Sequence, residues 1–268
     1  EISACLVGSE MCIRDRTLLS VLGGITQHVR LMPNVANLPL RPPAMLAKAA
    51  ATLDILTNGR VELGLGAGGF WEAIVSYGGP NRTPGEAVSA LEEGIQIIHA
   101  LWQSAPNSNQ TVNFSGQHYQ LHNAKPGPAP AHPIGIWLGA LRPRMLQLTG
   151  RLADGWIISA SYIPPENVPA LQSIIDESAQ SAGHNPRAIR RAYNLAGSVV
   201  RPGSPMITPR RKDIIIGPVS QWVDVITPYY HDLHMDTFIF WPIGDSENQV
   251  RLFAEEVVPG VRAAVSKG

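Results

Sequence analysis

One strand–helix–strand unit constrains the fold more than any other part of the chain. A short apolar strand is predicted at 29–34, a helix after Pro43 and a second strand at 60–65. The helix is indicated by apolar residues three or four positions apart, which line one helical face, and by Pro43 near its first turn, where the missing N–H costs nothing. The second strand ends among the glycines at 64, 66, 68 and 69, so almost no side chains leave it. Either another group packs against that bare backbone, or the glycines form a loose turn that needs positive φ.

The same alternation continues along the chain. Further strands are predicted at 134–139, 156–159, 189–200 and 237–241, with amphipathic helices between them. Strands that alternate with helices predict an α/β fold with a parallel sheet covered on its outer side. The number and spacing of the units favour a TIM-type (β/α)8 barrel over a doubly wound sheet, and ligands bind such barrels at the carboxyl ends of the strands. Those ends are Asn34, Gly66, Gly139, Ser159, Val200 and Trp241.

The amino-acid composition limits the kinds of molecule that this protein is expected to bind. The chain has 21 basic and 21 acidic residues among 268, and a balanced charge argues against nucleic acid. No apolar run approaches the ~18 residues that span a membrane, and no signal-peptide pattern opens the chain, so a cytoplasmic enzyme is expected. Both cysteines precede residue 13, and His231 and His234 lack the spacing of a zinc helix motif, so we expect no metal.

The segment 64–69 satisfies the G-x-G-x-x-G pattern of dinucleotide-binding proteins. In that fold a helix opens at the third glycine, and an acidic residue ends the next strand. Here a short interrupted segment follows the glycines, and we predict a loop at 70–82. An NAD(P)-dependent Rossmann dehydrogenase therefore stays only as an alternative hypothesis.

The turn at 139–144 places two arginines, Arg142 and Arg144, at the start of a predicted helix. Positive charge is unfavourable at a helix N-terminus, and a bound anion would reverse that cost. Free backbone N–H groups and guanidinium donors together suit a phosphate. The arginines could instead point to solvent or pair with Asp154 or Glu86.

Three runs of residues resemble a known family. They are NVANLPLRPPAMLAKAAATLD at 34–54, NGRVELGLGAG at 58–68 and GALRPRMLQLTGRLADGW at 139–156. These runs resemble the bacterial luciferase-like superfamily, whose members are FMN- or deazaflavin (F420)-dependent oxidoreductases. The resemblance implies a TIM barrel and a flavoprotein or F420 enzyme acting on a small organic substrate. The activity would be that of a luciferase-like monooxygenase or of an F420-dependent reductase or dehydrogenase.

The resemblance also implies positions for the cofactor. Its phosphate tail would lie at Gly139, Ala140, Pro143 and Ser159, beside the two arginines. A non-prolyl cis peptide between Asn34 and Val35 would back the ring system, next to Gly66, Ala67 and Gly68. The loop residue Glu72 would overlook the ring, where a carboxylate can act as a general acid or base.

The first sixteen residues match neither helical nor strand periodicity and contain both cysteines. We expect a non-native leader at 1–16, then a luciferase-like barrel domain at 17–268 with an insertion at about 103–133 on the active-site rim. The resemblance implies that two strands ahead of Thr17 are missing. A second hypothesis is therefore a truncated, non-catalytic fragment that binds a phosphorylated ligand. Exposed edge strands in such a fragment would favour a homodimer.

Overall fold

The computed structural model describes residues 15–103, 110–201 and 211–266, which belong to two compact units. The first unit runs to Ala140 and includes Leu152–Asp154, and the second holds Leu141–Arg151 and the chain from Gly155. The predicted leader lies outside the described residues except for its last two, which already belong to the first helix. Asp15 accepts a hydrogen bond from Nη2 of Arg41 at 2.5 Å. The leader's boundary at residue 16 stays a prediction.

The first unit contains a parallel sheet, four helices and a hairpin. Strand β2 lies between β1 and β5, and all three are parallel. The hairpin strands β3 and β4 are antiparallel. The helices are α1 (Asp15–Ile25), α2 (Pro43–Leu56), α3 (Trp71–Ser76) and α4 (Pro84–Gln103), and the strands are β1 (Ala36–Asn37), β2 (Leu63–Gly66), β3 (Val112–Ser115), β4 (Gln120–Ala124) and β5 (Ile136–Gly139).

Two predictions in this unit were wrong in detail. The strand predicted at 29–34 is only a bridge between Leu31 and Val61, and the sheet continues at β1 after a turn. Pro33 has no N–H for a ladder, which explains the break. The loop predicted at 70–82 contains α3, which begins after Phe70 in a left-handed conformation. Ile74 is fully buried and holds this short helix against the unit.

Helix α4 begins with a capping box. The N–H and hydroxyl of Thr83 both donate to Glu86 Oε2 at 2.8 Å, and the Thr83 hydroxyl accepts from the N–H of Glu86 at 3.3 Å. These bonds satisfy N–H groups that the helix itself leaves without partners. At its other end, Trp102 Nε1 donates to the carbonyl of Ala47 on α2 at 3.0 Å.

The predicted insertion contains the β3–β4 hairpin, and residues 104–109 lie outside the description. The hairpin turn is anchored to α4 by one carboxylate. Glu93 accepts from the backbone N–H groups of Gln117, His118 and Tyr119 at 2.8, 2.9 and 3.0 Å. The guanidinium of Arg82 lies 5.2 Å from the centre of the Tyr119 ring, a cation–π contact. The hairpin is therefore fixed to the unit at its turn.

Carboxylates also hold the amino ends of the strands. Asp54 is fully buried and accepts from the N–H groups of Val61 and His132, both at 3.1 Å. Its Oδ1 atom lies 2.8 Å from Nδ1 of the same histidine. Asp154 Oδ2 accepts from the N–H of Ile136 at 2.8 Å, at the start of β5. These bonds fix where the strands begin.

The second unit has strand β7 (Arg190–Val199) at its centre. Helix α5 is Pro143–Leu152, whose last residue counts with the first unit. The others are α6 (Val168–Ser181), α7 (Val219–His231), α8 (Ser246–Leu252) and α9 (Val258–Val265), with a π-helical turn at Phe253–Val257, and the strands are β6 (Gly155–Ser159), β7 (Arg190–Val199), β8 (Ile214–Gly217) and β9 (Thr237–Pro242).

All pairings of β7 are parallel. Asn194 pairs with Ser159 on β6 and with Ile239 on β9. Ala196 pairs with residues of β8 and β9. Strands β6 and β8 therefore share one edge of β7, and β9 occupies the other. No strand was predicted where β8 lies, although the run of three isoleucines at 214–216 has the β-branched side chains that strands favour.

We expect the capping box to be sensitive to pH. Hydrogen bonds from the backbone and hydroxyl of Thr83 lower the pKa of Glu86. A carboxyl whose pKa falls on folding stabilises the fold above its unfolded pKa, and this contribution is lost as the pH falls through the folded pKa. Replacing Glu86 by Gln should therefore lower the midpoint of thermal unfolding at pH 7, and the difference from the wild type should shrink below about pH 4.

The same substitution at the exposed Glu256 is the control and should show no such trend. A difference between the wild type and E86Q that stays constant from pH 7 to pH 3 would contradict this account of the helix start.

Candidate functional site

The segment Pro33–Val35 packs against the strand glycines of the first unit. A Cβ atom on Gly64 would overlap the carbonyl oxygen of Pro33. A Cβ on Gly66 would lie 3.0 Å from Cγ2 of Val35, and one on Gly139 would lie 3.4 Å from the same methyl. Val35 of the same chain therefore packs against the glycine backbone that the sequence predicted to be bare. The peptide bond between Asn34 and Val35 is cis, as the family resemblance implied.

Beyond β2 the backbone stays largely uncovered. Gly66, Ala67 and Gly68 are partly exposed, and Gly69 and Phe70 are exposed. Gly68 has a φ of +120°, and a Cβ there would lie 2.8 Å from the Trp71 ring. Only glycine suits that position, because both the conformation and the close approach exclude a side chain. The carboxyl end of β2 therefore presents backbone groups rather than side chains.

The predicted catalytic residue, Glu72, is exposed in the first turn of α3. Water can reach its carboxylate. Its proposed role depends on a bound ligand and stays a prediction.

The two arginines lie where the sequence placed them, at the start of α5 in the second unit. The carbonyl of Arg142 accepts the first helical hydrogen bond, from the N–H of Leu146 at 3.0 Å. Pro143 is the first helical residue, and Arg142 and Arg144 are exposed. Guanidinium groups at a helix N-terminus can bind an anion together with its backbone N–H groups.

Ser159 ends β6 in the same unit. Its carbonyl accepts from the N–H groups of Tyr162 and Ile163 at 3.0 and 2.9 Å, which closes a tight turn after the strand. Nη2 of Arg211 lies 3.4 Å from the carbonyl of Ser161 in that turn. A third arginine, which the sequence did not indicate, therefore lies beside the turn after Ser159, where the resemblance implied part of the phosphate site.

Sequence reasoning also missed Asn194, which is 7% exposed on β7. Its Nδ2 donates to the carbonyl of Ile158 at 2.9 Å, and its Oδ1 accepts from Nε1 of Trp241 at 2.8 Å. The available signal was an asparagine in the middle of the largely apolar run AYNLAG at 192–197.

The neighbouring Tyr193 has a structural role. Burial, and then the nearby Tyr229, raise the pKa of its hydroxyl well above the ordinary value, so the group stays protonated. The hydroxyl donates to the carbonyl of Ile163 at 2.6 Å. Tyr193 thereby holds the turn that follows β6.

The structure brings the predicted residues together in two groups, one in each unit. In the first unit, Val35 contacts the two strand-end glycines Gly66 and Gly139, with Asn34 before it and the buried Ala140 directly after β5. In the second, Arg142, Pro143 and Arg144 open α5, and Ser159 ends β6. Within the described ranges, no group of three His, Cys, Asp or Glu side chains is placed to hold a metal ion.

Parallel strands that alternate with helices in both units define an α/β protein. Residues 13–201 match the family model described as luciferase-like monooxygenase. The match covers more than half of the chain, and the chain belongs to this family.

Two curated relatives show the range of the likeness. An F420-dependent glucose-6-phosphate dehydrogenase from Nakamurella multipartita is 26% identical over 93% of this chain and 83% of its own. A phthiodiolone/phenolphthiodiolone dimycocerosates ketoreductase from Mycobacterium bovis is 36% identical over 63% of this chain, and that match spans 43% of its length.

Among solved structures, a riboflavin lyase with modified FMN and riboflavin matches with a TM-score of 0.81 over 94% of this chain and 74% of its own, at 13% identity. This likeness concerns the fold alone. With the parallel strands described above, it confirms the predicted α/β class of the TIM-barrel type. The family match confirms the predicted enzyme class, a luciferase-like oxidoreductase.

We expect the contact between Val35 and Gly66 to be intolerant of a methyl group. Gly66→Ala places its Cβ 3.0 Å from Val35 Cγ2 and should lower the free energy of unfolding by about 1 kcal/mol or more. Chemical denaturation measures the change. A Cβ on Gly69 would meet nothing within 4 Å, so Gly69→Ala is a matched control that should be neutral or slightly stabilising.

The loss at Gly66 should shrink in a Val35→Ala background, which removes the crowded methyl. Equal stability of the Gly66→Ala and Gly69→Ala variants would show that Val35 is not what requires the glycine.

Proposed function

We propose that the chain is an oxidoreductase that uses a deazaflavin of the F420 type and transfers hydride to or from a small organic substrate. The observation that carries this proposal is the likeness to an F420-dependent dehydrogenase over 93% of the chain and 83% of that relative. A monooxygenase that uses FMN is the second candidate. The description of the matching family and the fold likeness to an FMN-containing structure favour it.

The strand ends of the first unit fit the ring of such a cofactor. Gly66, Ala67 and Gly68 leave a surface of backbone that a flat ring can approach closely, since no Cβ stands in the way at either glycine. Val35 and Asn34 would support that surface from behind and fix its position. When bound, a deazaflavin supplies hydride chemistry, and the protein supplies orientation and electrostatics.

The second unit offers groups for the phosphate. Arg142 and Arg144 would donate charge-assisted hydrogen bonds, and the N–H groups in the first turn of α5 would add to them. Pro143 fixes the first helical residue without using a donor. Ser159, at the end of β6 in the same unit, would supply a hydroxyl.

We assign the proton-transfer role to Glu72. An exposed carboxylate exchanges protons with water rapidly, and substrate binding would exclude that water and place the group beside a reacting oxygen. Its position in the first turn of α3, directly after the glycine exit of β2, supports the assignment.

A cytoplasmic location and a small-molecule substrate complete the proposal, and a homodimer remains part of it. None of the described helices is both long and apolar enough to cross a bilayer. The equal numbers of acidic and basic residues favour a small molecule over a nucleic acid as partner.

The first test of this proposal is a fluorescence titration of F420 and, separately, of FMN into the purified chain. We expect F420 to bind in the micromolar range. The double variant Arg142→Ala, Arg144→Ala should bind about tenfold more weakly, a loss of about 1.4 kcal/mol, because it lacks both guanidinium donors. The exposed Arg262 lies on α9, and Arg262→Ala is the matched control.

Preferential binding of FMN would replace the deazaflavin with the second candidate. A folded chain that binds neither cofactor would reject the oxidoreductase proposal for this chain.

Replacing Glu72 by Gln tests the acid–base role. The amide keeps the shape of the side chain but cannot transfer a proton, so kcat should fall about 100-fold or more while the Kd for the cofactor stays unchanged. Glu256→Gln controls for the loss of one exposed negative charge. A kcat within twofold of the wild type would remove Glu72 from the mechanism.

A further inference from the structure

The sheet of the second unit has one face covered by helices and another that carries a tryptophan. On β7, Arg191 pairs with Asp176 of α6, and a Cβ on Gly197 would lie 2.8 Å from Trp222 of α7. Odd-numbered residues of β7 therefore face the helices. Because side chains alternate along a strand, Asn194, Ala196 and Ser198 belong to the opposite face. We call this opposite face, with its positions on β6–β9, the Trp241 face.

The aromatic residues of β9 divide between the two faces. Phe240 packs edge-on against Trp222 at 5.2 Å and stacks with Phe253 at 4.2 Å, on the helix side. Trp241 is the next residue, and its indole N–H reaches Asn194 on the other side. Trp241 therefore does not belong to the aromatic core beneath the helices.

The strand register shows what surrounds the indole. Ala196 is the cross-strand partner of Trp241, and Ile214 is the partner of Ala196 on its other edge. Ser159, Asn194 and Ile239 form the row below, nearer the amino ends of the strands. The small side chain of Ala196 leaves space beside the indole, and Trp241, Ala196, Ile214 and Ile239 are each partly exposed. The result is a partly open apolar surface near the carboxyl ends of parallel strands.

The hydrogen bond between Asn194 and Trp241 limits how a ligand can contact this surface. Its amide is buried, and the bond from Trp241 Nε1 to Oδ1 occupies the only hydrogen-bond donor of the indole. Trp241 can therefore contact a ligand only through its ring. A ring held in one orientation by a buried amide loses little conformational entropy on binding.

The charge of this surface limits which ligands can bind to it. Beyond the Ser159–Asn194–Ile239 row, toward the carboxyl ends, the described strand positions on the Trp241 face are alanine, serine, isoleucine and tryptophan. None of these side chains carries a charge. An anionic group placed against such a surface would lose its hydration without gaining a partner.

We propose that the organic part of the substrate packs against Trp241, positioned by Asn194, and that the substrate is a neutral, largely apolar compound rather than a sugar phosphate. This inference rests on the proposed oxidoreductase function and names the substrate class of its site. Trp241 is then a binding residue, and Asn194 is a positioning residue that acts through it.

Acetophenone, a neutral apolar ketone that quenches indole fluorescence, is the probe. Subtracting the emission of Trp241→Phe from that of the wild type isolates Trp241 among the six tryptophans. We expect this emission to be quenched saturably. Trp241→Ala should weaken acetophenone binding, followed by equilibrium dialysis, at least tenfold, and Asn194→Leu severalfold. Trp71→Phe, in the first unit, should leave the Kd unchanged, and glucose 6-phosphate should not compete.

Ala196→Leu provides a variant that leaves the tryptophan intact. Its larger side chain should fill the space beside the indole and weaken acetophenone binding to a similar extent, with the circular dichroism spectrum unchanged. Quenching that rises linearly without saturation, equal affinity in Trp241→Ala, or displacement by glucose 6-phosphate would overturn the inference.

A parallel titration of F420 and FMN into the same variants separates the two proposals. We expect Trp241→Ala to bind cofactor like the wild type. If the folded wild type binds neither cofactor, the proposed function fails whatever acetophenone does. If cofactor binds normally and acetophenone does not bind, the substrate inference alone fails.

Discussion

The ends of the strands in the first unit depend on one steric constraint, the close approach of the Pro33–Val35 segment to the glycines of β2 and β5. No Cβ fits at Gly64, where it would overlap the carbonyl oxygen of Pro33. Because Gly64 has no Cβ, the Pro33 carbonyl can lie there and β1 can pair in parallel with β2. In this pairing Ala36 lies opposite Leu65, and Asn37 lies opposite Gly66. The same absence of side chains that permits this packing leaves backbone accessible at the carboxyl end of β2. A packing requirement and the proposed binding surface thus have one cause.

The two ends of these strands are built differently. At the amino ends, carboxylates accept from backbone N–H groups, Asp54 from Val61, Glu62 from Gly135 and Asp154 from Ile136. Asp54 is fully buried, and losing it would leave two N–H donors and His132 without a partner, a costly change. At the carboxyl ends, glycines replace side chains. Rigid anchoring at one end allows an uncovered backbone at the other, which agrees with the division between stability and function in barrels of parallel strands.

Features that depend on local sequence were predicted well. The parallel strands follow from apolar runs between amphipathic helices, and the helix start at Pro43 follows from the proline itself. Features that depend on distant partners were not. Asn194 and Trp241 are 47 residues apart in sequence, and nothing near either residue indicates their hydrogen bond. Helix α3 was missed because a six-residue helix shows too little periodicity, although burial of Ile74 stabilises it.

This difference explains why the family is easier to recognise than the substrate. The features that mark the family are mostly backbone features: glycines at strand ends, a proline at a helix start and a turn with little side-chain bulk. The short-range patterns of these features can be read along the chain. A substrate is distinguished by side chains that different strands bring together, such as Trp241, Ala196 and Ile214. Under the proposed function, substrate choice can therefore change through a few strand positions while the backbone at the strand ends stays the same.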